Sequence, residues 1–158
     1  MEVVLVFGEI CSGKGYICAQ MYRDHKILSC SSFVKSLSKF TDRKDLGTTG
    51  DLSKHICYSI ADTLSELHEA GINKVVLEGI RQWSIAEFIL SMPITSTLVW
   101  VEASTDIRKR RYELRKAAKD GTLSFEEATE SDNLLGMSYT KRILLNLFKD
   151  DLVVVDNN

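Results

Sequence analysis

The feature that most constrains this chain is an apolar segment followed at once by a glycine-rich turn. Val3–Phe7 are five consecutive apolar residues, and residues 8–15 continue from them as Gly-Glu-Ile-Cys-Ser-Gly-Lys-Gly. The residues that follow are compatible with a helix, so the order is strand, loop and helix. Gly8 and Gly13 permit backbone turns that other residues resist, and successive N–H groups can then point inward around an anion. The pattern therefore predicts a phosphate-binding loop between the first strand and the first helix.

The lysine of this loop narrows the expected ligand from any anion to a nucleotide. Lys14 is placed to carry a full positive charge to the β- and γ-phosphates, and the positive end of the following helix adds to it. Ser or Thr usually follows the lysine and ligates Mg²⁺ through its hydroxyl, whereas Gly15 offers none. We therefore expect ATP as the nucleotide, with Mg²⁺ held through waters, phosphates and another acid. The expected nucleotide contacts are Gly8, Cys11, Ser12, Gly13, Lys14, Gly15 and Tyr16.

The rest of the chain alternates short apolar runs with longer segments of helical periodicity. Near-continuous apolar runs indicate a parallel sheet buried on both faces. These runs are Val3–Phe7, Lys26–Ser29, Lys74–Leu77, Leu98–Val101 and Leu152–Val155. Helices are predicted from about Asp51 to Ala70, over Trp83–Leu90, from Ser104 or Thr105 through Lys119, and over Tyr139–Phe148. The pattern predicts an α/β fold, a doubly wound five-stranded parallel sheet flanked by helices, in one domain spanning residues 1–158.

Composition excludes several classes of protein. The 158 residues carry 20 Lys and Arg against 22 Asp and Glu, a net charge of −2, which argues against a protein that coats duplex DNA. No run of 18 apolar residues is present, so the sequence predicts no transmembrane helix and no membrane partner. The four cysteines form no C-x-x-C pair and no secretory signal precedes them, so we expect reduced thiols and a cytoplasmic location.

A second motif follows the third apolar run. Glu78-Gly79-Ile80-Arg81 begins where that strand is expected to end, and such a position lies beside the phosphate loop in doubly wound folds. The carboxylate of Glu78 would be costly there without a cation, so we expect it to act on Mg²⁺ through water. Arg81 is then directed toward the cleft of the phosphoryl acceptor. A structural ion pair between Glu78 and Arg81 is the alternative interpretation.

These motifs together resemble those of the P-loop nucleoside and deoxynucleoside monophosphate kinases. Gly13-Lys14-Gly15 resembles their loop, and residues 29–35 resemble their acceptor-binding pattern with lysine in place of arginine. Residues 78–81 resemble their Asp-Gly-x-Pro-Arg motif, and resemble more closely the Asp-Gly-Ile-Arg motif of phage deoxynucleotide kinase-like and dephospho-coenzyme-A-kinase-like proteins, with Glu for Asp. The resemblance implies ATP-dependent phosphoryl transfer to a nucleoside or deoxynucleoside monophosphate. It places an acceptor-binding insert at about residues 30–70, with Ser29, Lys35, Arg43 and Arg81 as the substrate contacts.

The resemblance also implies a short lid over about residues 107–132. Arg108, Arg111 and Arg115 are spaced i, i+3 and i+7, so they share one face of a helix. Arg111 and Arg115 are the lid cations expected to clamp the transferring phosphoryl group, and with Lys14 and Arg81 they form the predicted catalytic set. The following Ser-Phe-Glu-Glu stretch is expected to pack Phe125, and Asp132 to position a lid arginine. The alternative is an ordinary solvated basic face.

Three other functions stay open at this stage. The acceptor could be a base within DNA, as in phage enzymes that phosphorylate hydroxymethyluracil; nucleic acid is thus possible but not favoured. It could be dephospho-coenzyme A, although Gly15 departs from the loop usual in that family. The chain could also bind nucleotide without transferring phosphate. The sequence fixes neither the base and sugar of the acceptor nor the oligomeric state, and Trp83 could either stack on a base or belong to the core.

Overall fold

The computed structural model describes residues 1–37, 50–119 and 121–158. Five strands occupy these residues: β1 Glu2–Phe7, β2 Lys26–Ser29, β3 Lys74–Glu78, β4 Thr95–Glu102 and β5 Leu152–Asp156. The helices of the same residues are α1 Lys14–Met21, α2 Cys30–Leu37, α3 Gly50–Glu69, α4 Trp83–Leu90, α5 Thr105–Lys119, α6 Phe125–Leu134 and α7 Met137–Leu147. The strands alternate with helices as predicted, so the α/β class is confirmed.

The strands form one sheet in the order β2-β3-β1-β4-β5, and every pair is parallel. Strands β2 and β3 lie on one side of β1, and strands β4 and β5 lie on the other side. The topological switch point is therefore at the carboxyl end of β1, where open α/β sheets form their ligand crevice. The predicted doubly wound parallel sheet is confirmed, and its switch point coincides with the glycine-rich loop.

The central strand is buried on both faces because its apolar residues alternate between two helical layers. One face of β1, with Val3, Leu5 and Phe7, packs against residues of α3, α4 and α7. The opposite face, with Val4 and Val6, packs against α1. No helix in the described part of the chain combines the length and apolar character needed to cross a membrane.

The prediction of burial on both faces is wrong for the two edge strands. Ile27 of β2 and Val153 and Val154 of β5 are exposed, although their sequences are as apolar as those of the central strands. An edge strand has a neighbour on one side only, so apolar composition by itself does not separate it from a central strand.

Two helices differ from the prediction, one in its existence and one in its first residue. Helix α6 was not predicted as a separate helix, yet Ser124 caps it, its hydroxyl accepting a 3.0 Å hydrogen bond from the N–H of Glu127. Helix α7 begins at Met137, two residues earlier than the predicted Tyr139, because Gly136 adopts a φ of 112° at its N-cap. Together α6 and α7 bring the C-terminal third of the chain back toward the carboxyl edge of the sheet.

Candidate active site

The glycine-rich loop joins β1 to α1 at the switch point. Gly13 has a φ of 88°, in the left-handed region that glycine adopts without strain. A Cβ at Gly8 would lie 2.8 Å from the carbonyl oxygen of Val101, and a Cβ at Gly13 would collide with the side chain of Asn157. Cys11 also has a positive φ, 58°. The loop conformation therefore requires the glycines that the sequence pattern singled out.

Lys14 begins α1 and folds back over the loop. Its Nζ donates to the carbonyl oxygens of Gly8 at 2.8 Å and Glu9 at 3.1 Å. Burial lowers the pKa of Lys14 below its usual 10.5, and the nearby positive charge of Arg81 lowers it further. The first turn of α1 carries no acidic residue and no side-chain cap. An anion bound here would meet a half-buried ammonium and a helix N-terminus that no side chain caps.

The remaining predicted loop contacts differ in what surrounds them. The hydroxyl of Ser12 is buried and has no hydrogen-bond partner among the described residues, as expected of a group that awaits a ligand. No atom lies within 4 Å of the position that a Cβ of Gly15 would take, so this site is open. The side chain of Tyr16 is exposed. The cradle and its unpartnered hydroxyl fit a phosphate group.

Two side chains hold the second half of the loop from outside. Arg111 donates through Nη1 to the carbonyl oxygens of Cys11 at 3.4 Å and Ser12 at 3.2 Å, and through Nη2 to the carbonyl oxygen of Asn157 at 2.6 Å. The Asn157 amide donates to the same Ser12 oxygen at 2.8 Å. Because the N–H of a trans peptide points away from its C=O, these contacts direct the N–H of Gly13 to the opposite side of the loop. Asn157 was not predicted, since nothing in the sequence near it marks a site.

The three arginines of α5 lie in different surroundings despite their shared helix face. Arg108 is buried and pairs with Glu9, Arg111 contacts the loop carbonyls, and Arg115 is exposed. Phe125 is buried against Tyr112, with ring centroids 5.8 Å apart, so the expected packing of Phe125 is confirmed. Sequence reasoning missed the role of Arg108, because i, i+3 spacing alone does not show which turn of a helix faces a neighbour.

The acceptor-side residues meet at the carboxyl edge of β2 and β3. Ser29 is the register partner of Glu78, and Val6 pairs with Glu78 from the other side. The hydroxyl of Ser29 lies 2.9 Å from that of Ser31. The negative charge of Glu78 raises the pKa of Lys14, against the larger effect of burial. Ser29, Glu78 and Lys14 are therefore brought together at one edge of the sheet.

Arg81 is anchored by an acid from a distant segment. Its Nε donates to the carboxylate of Asp132, and its Nη1 lies 3.5 Å from the carbonyl oxygen of Gly79. The hydroxyl of Thr140 donates to the carbonyl oxygen of Arg81 at 2.7 Å. The expectation that Asp132 positions a lid arginine is wrong: α6 packs its carboxylate against the segment after β3 instead.

The sequence also marks three other residues as candidate ligand contacts. Lys35 lies on α2 with its side chain exposed. Arg43 lies outside the described residues. The ring of Trp83 packs on Phe148, 5.2 Å between centroids, beside the main core, which is the core alternative given above for this tryptophan.

The donor set at this edge fits a Mg²⁺ ion that keeps most of its waters. Within the described ranges, no group of three or more His, Cys, Asp or Glu side chains is arranged to hold a metal. Glu78 is the acid of the predicted motif, and Gly15 offers no hydroxyl. Mg²⁺ dehydrates reluctantly and commonly takes one or two protein carboxylates with phosphate oxygens and waters, so a single carboxylate suits it.

Comparison with known proteins supports the fold. No protein-family model matches the chain, and no curated protein matches it. Among solved structures, a Thermus thermophilus protein, TT1252, has a TM-score of 0.62 and 18% identity over 100% of this chain and 88% of its own. A gluconokinase from Sinorhizobium meliloti has a TM-score of 0.56 and 14% identity over 98% and 82% of the two chains. A sugar kinase from a Janibacter species has a TM-score of 0.54 and 12% identity over 98% of this chain and 84% of its own. These likenesses, with the sheet order, show the fold of the P-loop kinases.

Proposed function

We propose that this protein is an ATP-dependent kinase that transfers the γ-phosphoryl group to a nucleoside or deoxynucleoside monophosphate. The observation that carries the proposal is the half-buried Lys14 ammonium folded over a glycine loop, with Arg81 just beyond the end of the neighbouring strand β3. Simple nucleotide binding needs the loop alone. A second, anchored cation on the acceptor side suits a substrate that itself bears a phosphate.

In this reaction an oxygen of the acceptor attacks the γ-phosphorus, and the bond from that phosphorus to the bridging oxygen of ADP breaks. Such transfer needs positioning and charge stabilisation more than covalent chemistry by the protein. Lys14 leaves the carbonyl oxygens of Gly8 and Glu9 to contact the β- and γ-phosphates. Arg81, held by Asp132, contacts the acceptor phosphate. Glu78 would hold a hydrated Mg²⁺ ion through its waters, and that ion would supply positive charge to neutralise the phosphates.

The remaining predicted residues have supporting parts in this proposal. Residues of about 30–70 form the acceptor-binding region, from which Lys35 and Arg43 contact the substrate, and Ser29 contacts it from the end of β2. Residues of about 107–132 form the lid. Arg111 holds the loop in its binding conformation from the outside, and Arg115 reaches the phosphates when the lid closes and excludes water.

The test is a transfer assay with ATP and Mg²⁺ against a panel of acceptors. The panel holds each nucleoside and deoxynucleoside monophosphate, dephospho-coenzyme A, DNA containing hydroxymethyluracil, and gluconate, because a gluconokinase shares the fold. We expect turnover with one or a few monophosphates. Turnover confined to another acceptor would replace the proposed substrate, and nucleotide binding with no transfer to any acceptor would favour a binding module.

Lys14→Ala tests the phosphate loop in the same assay. We expect nucleotide affinity to fall by about ten- to a hundred-fold, the range for one charge-assisted hydrogen bond, with the melting temperature little changed. Lys74→Ala is a matched control, since Lys74 is an exposed lysine at the amino end of β3, away from the end of the strand that carries Glu78. A folded Lys14→Ala protein with unchanged nucleotide affinity and turnover would contradict the proposal.

A further inference from the structure

Glu9 lies in the phosphate loop, and its carboxylate bridges two cations from different helices. Its Oε2 lies 2.9 Å from Nη2 of Arg108 on α5, and its Oε1 lies 2.5 Å from Nζ of Lys141 on α7. Arg108 lies 99 positions after Glu9 in the sequence and Lys141 lies 132 positions after it, so both contacts tie distant helices to the first half of the loop. One carboxylate balances only one of the two cations, so this cluster carries a surplus positive charge.

Arg108 is the permanent partner of Glu9. Its side chain is only 6% exposed, its Nη1 lies 3.4 Å from the carbonyl oxygen of Ile10, and its guanidinium stands 5.5 Å from the ring centroid of Phe125. Within residues 1–37, 50–119 and 121–158 the carboxylate paired with it is that of Glu9, and a buried guanidinium that lost this partner would be strongly destabilised. Arg108 therefore stays with Glu9 whatever else binds.

Lys141 is free to change partners. Its side chain is 33% exposed, and its ammonium stands 5.4 Å from the ring centroid of Trp100. Trp100 is the register partner of Phe7, the residue directly before the loop. A lysine ammonium at the end of a flexible stem can move to a nearby anion, and Glu9 keeps Arg108 when it does. The cost of removing Lys141 from Glu9 is therefore small.

We propose that Lys141 is a phosphate-binding residue for the terminal phosphoryl group of a nucleoside triphosphate. In the nucleotide-free protein Glu9 holds Lys141 beside the start of the loop. The γ-phosphate of a bound triphosphate then takes the ammonium from Glu9, while Arg108 keeps the carboxylate in place. This inference rests on the proposed function, because it requires a triphosphate in the loop.

The test compares triphosphate and diphosphate binding to Lys141→Met by titration calorimetry. We expect affinity for the β,γ-imido analogue of ATP to fall by about ten- to a hundred-fold, and affinity for ADP to change less than about threefold. Lys141→Arg restores the charge and is expected to recover most of the lost affinity. Lys74→Met is the control, because it removes an exposed lysine from a 2.6 Å ion pair with Asp24 at the other end of β3.

The outcomes separate this inference from the proposed function. Equal losses for the imido analogue and ADP, or wild-type affinity for both, would overturn the role of Lys141 even if Lys14→Ala abolishes binding. Absence of nucleotide binding to the wild-type protein would instead overturn the proposed function. Melting temperatures identify any variant that fails to fold, and Lys141→Gln then takes the place of the methionine variant.

Discussion

The ion pair between Arg81 and Asp132 gives the sharpest prediction, because one partner is buried and the other is half-buried. The side chain of Asp132 is 8% exposed and that of Arg81 is 31% exposed. Asp132→Asn keeps the shape of the side chain and removes its charge. The guanidinium of Arg81 is then left beside a neutral amide, and it loses the anchor that holds it at the end of β3.

Breaking a buried ion pair by removing one partner costs about 3–5 kcal/mol. Water reaches part of Arg81, so we discount this to about 1–3 kcal/mol for Asp132→Asn. In a chain of this length 1 kcal/mol lowers the melting temperature by about 2–4 °C, so a loss near 2 kcal/mol lowers it by about 4–8 °C. Glu126 lies on α6 with Asp132 and forms an exposed ion pair with Lys109 of α5. Glu126→Gln breaks that pair and is expected to leave the melting temperature nearly unchanged.

A double-mutant cycle with Arg81→Gln isolates the pair from its surroundings. We expect the two substitutions to be non-additive by about 1–2 kcal/mol in denaturant unfolding. In the transfer assay each single variant is expected to raise the KM for the acceptor more than that for ATP. Additive stability losses, together with an unchanged acceptor KM in Asp132→Asn, would refute the view that Asp132 positions Arg81.

Three further predictions concern the loop and the opposite edge of the sheet. Gly13→Ala places a Cβ against Asn157 at a φ of 88°, and is expected to cost about 1–3 kcal/mol in denaturant unfolding and to weaken ATP binding in titrations. Gly15→Ser meets open space and adds a hydroxyl, so the Mg²⁺ concentration for half-maximal turnover is expected to fall; a rise would contradict this. The hydrogen bond from Lys74 lowers the pKa of Asp24 from 3.8 to about 2, so its stabilising effect is present above pH 4 and is lost as pH falls toward 2. Asp24→Asn should flatten that part of the melting-temperature profile.

The sheet and the loop could be predicted from the sequence because both depend on local patterns. The apolar run Val3–Phe7 and the glycines at 8 and 13 fall within one short segment of the chain. The run predicts a buried strand, and the glycines predict a turn with positive φ angles. The Glu78 motif was placed correctly at a strand end because parallel strands end at one edge of the sheet.

The partners of the charged and polar side chains could not be predicted, because they come from distant positions. Glu9 meets Lys141 across 132 positions, and Asn157 meets Ser12 across 145. No periodicity links such residues. Asp132 was likewise expected at the lid, and only the packing of α6 places its carboxylate on Arg81.

The contacts of α5 limit how a lid could move in the proposed kinase. Arg108 binds Glu9 and Ile10 in one half of the loop, and Arg111 binds Cys11 and Ser12 in the other half. The first two turns of α5 are therefore tied to the phosphate loop and must move with it. Closure over a bound nucleotide would have to bend the chain beyond Arg111. Arg115, exposed one turn later, is the first cation beyond the turns tied to the loop and is therefore able to approach the phosphates.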